Sequence, residues 1–139
     1  TLLENEQDAN FIFGAVRYNK INDGSVFQKI HAARVGLGIE MPCSHQSCFA
    51  RTYLLNANLF NTSYKIAADF EFWCRACVNG FGKTIITSIL VAEIEPGGVS
   101  QTREDLLQEE YFDILSKYRS SILAISWLML RKFKKIIGR

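Results

Sequence analysis

Asp69 stands at the first turn of Ala67–Asn79, where Phe70, Trp73, Cys74 and Cys77 recur at helical spacing and Gly80 follows in a C-cap position. A carboxylate there is favoured by the positive end of the helix dipole and is charged at neutral pH. Two roles suit it: accepting a proton from an attacking hydroxyl, or closing the helix N-terminus. His45 and Gln46 lie between Pro42 and Phe49 in a segment, Ser44–Phe49, that reads as extended. Both side chains can hydrogen-bond a sugar or a phosphate, or satisfy each other as a half-buried polar pair. Gly97-Gly98-Val99-Ser100 leads from a strand into a helix. It either lets backbone N–H groups approach an anion or simply turns the chain.

Four cysteines fall in two pairs, Cys43-x4-Cys48 and Cys74-x2-Cys77, with His45 inside the first. The spacing superficially resembles a zinc framework. Against it, the second pair sits within an amphipathic helix, where Cys at i and i+3 fills a core face. Glu93 and Glu95 share one face of a strand and suit either a polar site or plain exposure. Asp8-Ala9-Asn10 faintly resembles an Asp-x-Asp metal motif but precedes its strand instead of ending it.

The elements that must position these residues follow from pattern. Residues 9–18 are aromatic and β-branched and predict a buried strand, and Asn22–Ser25 predicts a turn. Residues 26–36, with Phe27, Ile30 and Ala33 on one side, suggest a short helix ended by Gly36 and Gly38. Residues 51–58 suggest another, followed by a loop at Asn61-Thr62-Ser63. Thr84–Ile94 is a near-continuous β-branched run, as in strands covered on both sides. After Ser100, a good N-cap, come a polar helix at Arg103–Arg119 and a second helix at Ser121–Ile137. The latter carries an Ile122, Ile125, Met129, Phe133, Ile136 stripe with Trp127 and Leu130 beside it. The fold class is α/β, and no Gly-x-Gly-x-x-Gly or Walker motif accompanies it.

The 139 residues, 48% hydrophobic and 22% charged, have globular composition, which argues against disorder. The net charge of +2 conceals an asymmetry. All fourteen acidic residues lie at or before Asp113, while Lys117, Arg119, Arg131, Lys132, Lys134, Lys135 and Arg139 follow it. Such a basic tail, combined with the apolar stripe and Trp127, suits an anionic membrane surface or a helix docked on protein. The stripe is shorter than the ~20 residues needed to span a bilayer. Clustering at one end, without an aromatic recognition motif, argues against nucleic acid. The opening residues lack a basic stretch followed by an apolar one, so reduced thiols in the cytoplasm are expected, with the tail peripheral on the inner face of the cell membrane.

The order of the short motifs adds a resemblance. Met41-Pro42-Cys43-Ser44-His45-Gln46-Ser47-Cys48-Phe49 resembles the "mPicHQaiFfr" segment of family 2 glycosyltransferases, and Leu59–Phe72 resembles their "lFdtsyKiaaDydf" segment. Arg75, Gly80-Phe81, Gly97-Gly98-Val99-Ser100 ("GGvS") and Asn10–Gly14 ("dfiyGd") follow suit, covering roughly residues 8–103. The resemblance is to enzymes of bacterial surface polysaccharides such as colanic acid or O-antigen. It implies a partial GT-A fold, with a mixed sheet, flanking helices and a C-terminal helical extension. Residues 1–103 would be the acceptor-side part and 104–139 the basic helical tail. It implies an inverting hexosyl transfer from a nucleotide-diphosphate sugar to a saccharide or lipid-linked acceptor, with Asp69 as general base. His45, Gln46, Arg75, Gly97 and Gly98 would line the acceptor or donor side. The family's nucleotide-binding strands and Asp-x-Asp motif lie upstream of the matching region. A Mg or Mn ion is therefore expected of a full-length enzyme, with no metal ligand in this chain. The family's Asp after its "iyG" strand is Ala15 here. By the same reasoning this stretch alone is expected to be inactive. The competing expectations are a zinc-binding or a membrane-surface interaction module without catalysis.

Overall fold

The structure is a computed structural model, and it describes residues 9–22, 25–33, 40–57, 59–95, 98 and 102–137. For 20–22, 25–29 and 134–136 the backbone alone is described. The chain forms an α/β fold around a four-stranded mixed sheet. Its central strand is β1 (Phe11–Asn22). One edge of β1 pairs antiparallel with β2 (Ser25–His31) along residues 16–22 and with β3 (Cys48–Ala50) along residues 11–13. The pairing with β4 (Thr84–Ile94) is parallel and spans residues 11–18, so β4 takes the opposite edge.

The helix expected over 26–36 is corrected to a strand over its first half. Asn22 pairs with Ser25 and Val16 with His31, in one unbroken antiparallel register. The Asp23-Gly24 dipeptide lies between the paired ends in sequence, a strong hairpin signal, and Val26, Phe27 and Ile30 are good strand formers. Pairing with a long neighbouring strand outweighs a short helical period. Gly36 and Gly38 lie outside the described residues.

Gly14 makes the β1–β4 contact possible. A Cβ there would stand 2.2 Å from Val91 Cγ2 and 2.9 Å from the Ile89 carbonyl oxygen. The register shifts at this point: Phe13 pairs with Ile86, but Ala15 pairs with Leu90, so β4 bulges past the glycine. The strand is half-covered, not enclosed on both sides as its run of β-branched residues suggested, and Ser88, Ile89 and Leu90 are exposed. Arg17 and Glu93, register partners, form an ion pair across the two strands.

Four helices are described: α1 (Thr52–Ala57), α2 (Ala68–Val78), α3 (Glu104–Tyr118) and α4 (Ser121–Ile137). Phe11 and Phe13 project from one face of β1 into a core shared with Phe70, Phe72, Trp73 and Cys74 of α2. Ile114 and Leu115 of α3 and Ala124 and Trp127 of α4 belong to the same core. The change at 103/104 from sheet-bearing to purely helical chain is therefore not a boundary between separate cores. Phe70, Tyr111 and Trp127 stack in a column, with centroids 4.2 and 4.8 Å apart, that ties α2 to α3 and α3 to α4.

Helix α2 ends in a Schellman motif. Phe81 N–H donates to the Ala76 carbonyl at 2.8 Å, and Gly80 N–H to that of Cys77 at 3.1 Å. Gly80 adopts φ +83°, a conformation that favours glycine.

Candidate functional site

Each side chain at the site is held by a local device. At His45 the expected extended segment is instead a single 3-10 turn, His45–Ser47, before β3. Ser47 causes it: its N–H and its hydroxyl both donate to the Ser44 carbonyl, at 3.0 and 2.9 Å, and the residue is fully buried. With Ser47 turned inward, His45 and Gln46 are left on the outer side, both exposed. The Ser44 hydroxyl donates to Gln46 Oε1.

Asp69 is positioned by α2, and α2 by a neighbour. The residue preceding the helix, Ala67, has no side-chain cap to offer. Glu110 of α3 supplies one from a distance. Its carboxylate accepts the N–H groups of Lys65 at 2.6 Å, Ile66 at 2.9 Å and Ala67 at 2.8 Å. Three donors leading into the helix are thus satisfied by one buried carboxylate. That leaves Asp69 without the task of capping from the first position. Its Oδ1 accepts the N–H of Phe70, at 2.8 Å, and its Oδ2 turns to the 3-10 turn.

There the two sequence candidates meet. His45 Nδ1 lies 2.9 Å from Asp69 Oδ2. The hydrogen bond to Asp69, more than its charge, raises the imidazole pKa, and partial burial opposes the rise. The contact fixes the proton of neutral His45 on Nδ1 and leaves Nε2 with a lone pair. That Nε2 makes no hydrogen bond among the described residues.

The pair opens into a cleft of about 560 Å³. Gln46, Gly98, Glu95 and Cys43 line it with them, so six of the positions marked in the sequence converge. Tyr18, Tyr111 and Trp127 supply aromatic walls, and Lys65 and Arg131 supply cations. Sequence reasoning had assigned none of these five to a site. Trp127 and Arg131 were visible only as parts of a helix stripe and a basic cluster, and Tyr111 gave no local signal. Trp127 is fixed by the Tyr111 stack, by donation of its indole N–H to Glu40 Oε1 at 3.1 Å, and by the Arg131 guanidinium 5.1 Å from its ring.

Arg75 does not line this cleft. Its Nε and Nη2 donate to the fully buried Glu71, at 2.9 and 3.1 Å, and Nη2 also reaches the Leu59 carbonyl at 2.9 Å. Tyr118 O–H donates to the same Glu71 carboxylate. Arg75 thus neutralises a charge in the core. Gly97, Val99 and Ser100 lie outside the described residues, as does Asp8; the N-cap position of α3 is Arg103.

The cysteines do not assemble. Burial pushes the thiols of Cys48 and Cys74 up to about 12, so both are neutral at physiological pH. Among the described residues no three His, Cys, Asp or Glu side chains are grouped to hold a metal ion. The divalent cation that the family resemblance implies is expected to find its main ligand motif outside this stretch, and no step below is drawn through one. Compared with protein-family models, with curated proteins and with solved structures, the chain has no match.

Proposed function

We propose that the cleft is the acceptor side of an inverting glycosyltransferase, in which the His45–Asp69 pair removes the proton of an acceptor hydroxyl. The observation that carries this reading is the 2.9 Å contact between His45 Nδ1 and Asp69 Oδ2 within an aromatic-walled cleft. A neutral imidazole whose conjugate acid lies above the usual histidine value is a better proton acceptor near neutral pH than an ordinary carboxylate. His45 Nε2 is therefore the accepting atom, and Asp69 holds the ring and stabilises the imidazolium that forms. As the hydroxyl oxygen attacks the anomeric carbon, its proton passes to Nε2. The bond to the nucleoside diphosphate breaks, and the electron pair leaves with the phosphate. Tyr18 offers an aromatic surface to a sugar ring, the stacked Tyr111 and Trp127 present their edges, Gln46 offers hydrogen bonds, and Arg131 and Lys65 supply positive charge. The order of the His45-Gln46 and Lys65–Asp69 motifs supports the acceptor-side reading, although the resemblance itself implies Asp69 as the base and His45 as a lining residue.

In an enzyme containing these residues together with a nucleotide-sugar-binding half, Asp69→Asn and His45→Gln should each lower kcat by about 10²–10⁴-fold, with donor affinity nearly unchanged. Loss in Asp69→Asn alone would make Asp69 itself the accepting group. Unchanged turnover in both would reduce the pair to a structural contact. The 139 residues alone should bind saccharide without consuming a nucleotide sugar, and detectable turnover by them would overturn the placement of the donor site elsewhere.

A further inference from the structure

Helix α4 has two faces. Ala124 and Trp127 are buried in the shared core. On the opposite side Ile122, Ile125, Met129, Phe133 and Ile137 are 77, 47, 67, 61 and 67% exposed. At 3.6 residues per turn the first four of these fall on one stripe turned away from Trp127. A helix that is apolar all round belongs inside a protein or in an apolar medium. Scattered exposed aliphatic residues are ordinary, but a continuous stripe marks a contact.

Charge says what covers it. No acidic residue occurs in α4 or anywhere after Asp113, while Arg131, Lys132, Lys134 and Lys135 fall in the last two turns of the helix. A second copy of the chain seated on this stripe would bring two basic helices together with no carboxylate on either to answer them. The centre of a protein interface is also depleted of lysine. An anionic lipid surface meets both demands, taking the apolar side chains below its headgroups with the exposed Lys132 beside them, while the other basic residues of the last turns add to the positive charge of the helix end. The helix is 17 residues long, about 25 Å, and among the described residues no helix is long and apolar enough to cross a membrane.

We infer that α4 is an interfacial helix that docks the protein in the plane of an anionic lipid bilayer through Ile122, Ile125, Met129, Phe133 and Ile137. The inward side of the same helix gives Trp127 and Arg131 to the cleft. Docking therefore puts the Trp127 and Arg131 wall of the cleft that holds His45 and Asp69 about one helix diameter, roughly 10 Å, from the headgroup layer. There the acceptor is a saccharide carried on a lipid, a consequence that rests on the sugar-transfer reading; the docking itself does not.

The test is co-sedimentation of the whole chain with vesicles, reading no sugar transfer. Vesicles of phosphatidylglycerol and phosphatidylcholine in roughly equal parts should bind at least about tenfold more tightly than pure phosphatidylcholine, and raised salt should weaken binding. Met129→Ser with Phe133→Ser should lower binding to the anionic vesicles by about tenfold or more. Both side chains are exposed, so the double variant should keep the wild-type melting temperature, which confirms that folding is intact. Equal binding to neutral and anionic vesicles would overturn the inference, as would binding indifferent to the double variant. So would no vesicle binding together with a concentration-dependent dimer that the double variant abolishes, because the stripe would then seat a second copy.

Discussion

His45 and Asp69 form a pair whose protonation can be followed directly. His45 is one of two histidines, and the other, His31, packs edge-on against Tyr18 with centroids 4.8 Å apart. An NMR titration of the imidazole protons should place His45 above the usual value of about 6.5, because Asp69 favours the charged ring. In Asp69→Asn the hydrogen bond to a carboxylate is gone while burial remains, so the pKa should fall to the ordinary value or below it. A His45 unmoved by that substitution would remove Asp69 as the cause. The sign for stability follows. A raised folded-state pKa means that the pair's contribution is fully present below about pH 6.5, and is lost as pH rises through the folded value. The proposed proton abstraction would run the opposite way, since it needs the neutral ring. Transfer should therefore rise across the same interval in which the pair's contribution to stability fades.

Helix α2 depends on its neighbour more than on its own sequence. Glu110, buried on α3, accepts three backbone N–H groups ahead of α2, whose N-cap residue, Ala67, has no capping side chain. Glu110→Ala should cost about 3 kcal/mol, since it leaves one buried and two part-buried donors without their partner. That corresponds to a Tm lowered by roughly 10 °C. Glu110→Gln, which keeps an acceptor oxygen, should cost less. The amides of Ile66 and Ala67 should lose protection from hydrogen exchange before those in the middle of β1. Equal melting of wild type and Glu110→Ala would show that the three contacts contribute nothing. Asp69 would be misplaced by the same change, so a catalytic defect in Glu110→Ala would reflect positioning.

Across the whole molecule, the column Phe70–Tyr111–Trp127 joins the helices to one another while Phe11 and Phe13 join them to the sheet. Trp127→Ala should cost about 3–5 kcal/mol by the cavity it opens. It should also remove a wall of the cleft, so saccharide binding should fall even under conditions where the variant remains folded. A fully stable Trp127→Ala would mean that α4 is not part of the core.

Local pattern was enough for α2 and the last helix, which repeat apolar residues at helical spacing, for β1 and β4, which are runs of β-branched and aromatic residues, and for the polar helix before the last. It was enough to mark Asp69, His45, Gln46 and Gly98 as able to do chemistry. Side-chain identity and backbone punctuation are properties of short stretches. Three things lay beyond that reach. Residues 25–31 became a strand because β1 offered them an open edge. His45 came out on a 3-10 turn because Ser47 was drawn into the core. Arg75 was drawn to Glu71 and away from the cleft. Long-range contacts also brought His45 within 2.9 Å of Asp69 and set Tyr111 and Trp127 beside them. Those pairings join residues far apart in the chain, and no local period encodes which distant partner a side chain will meet.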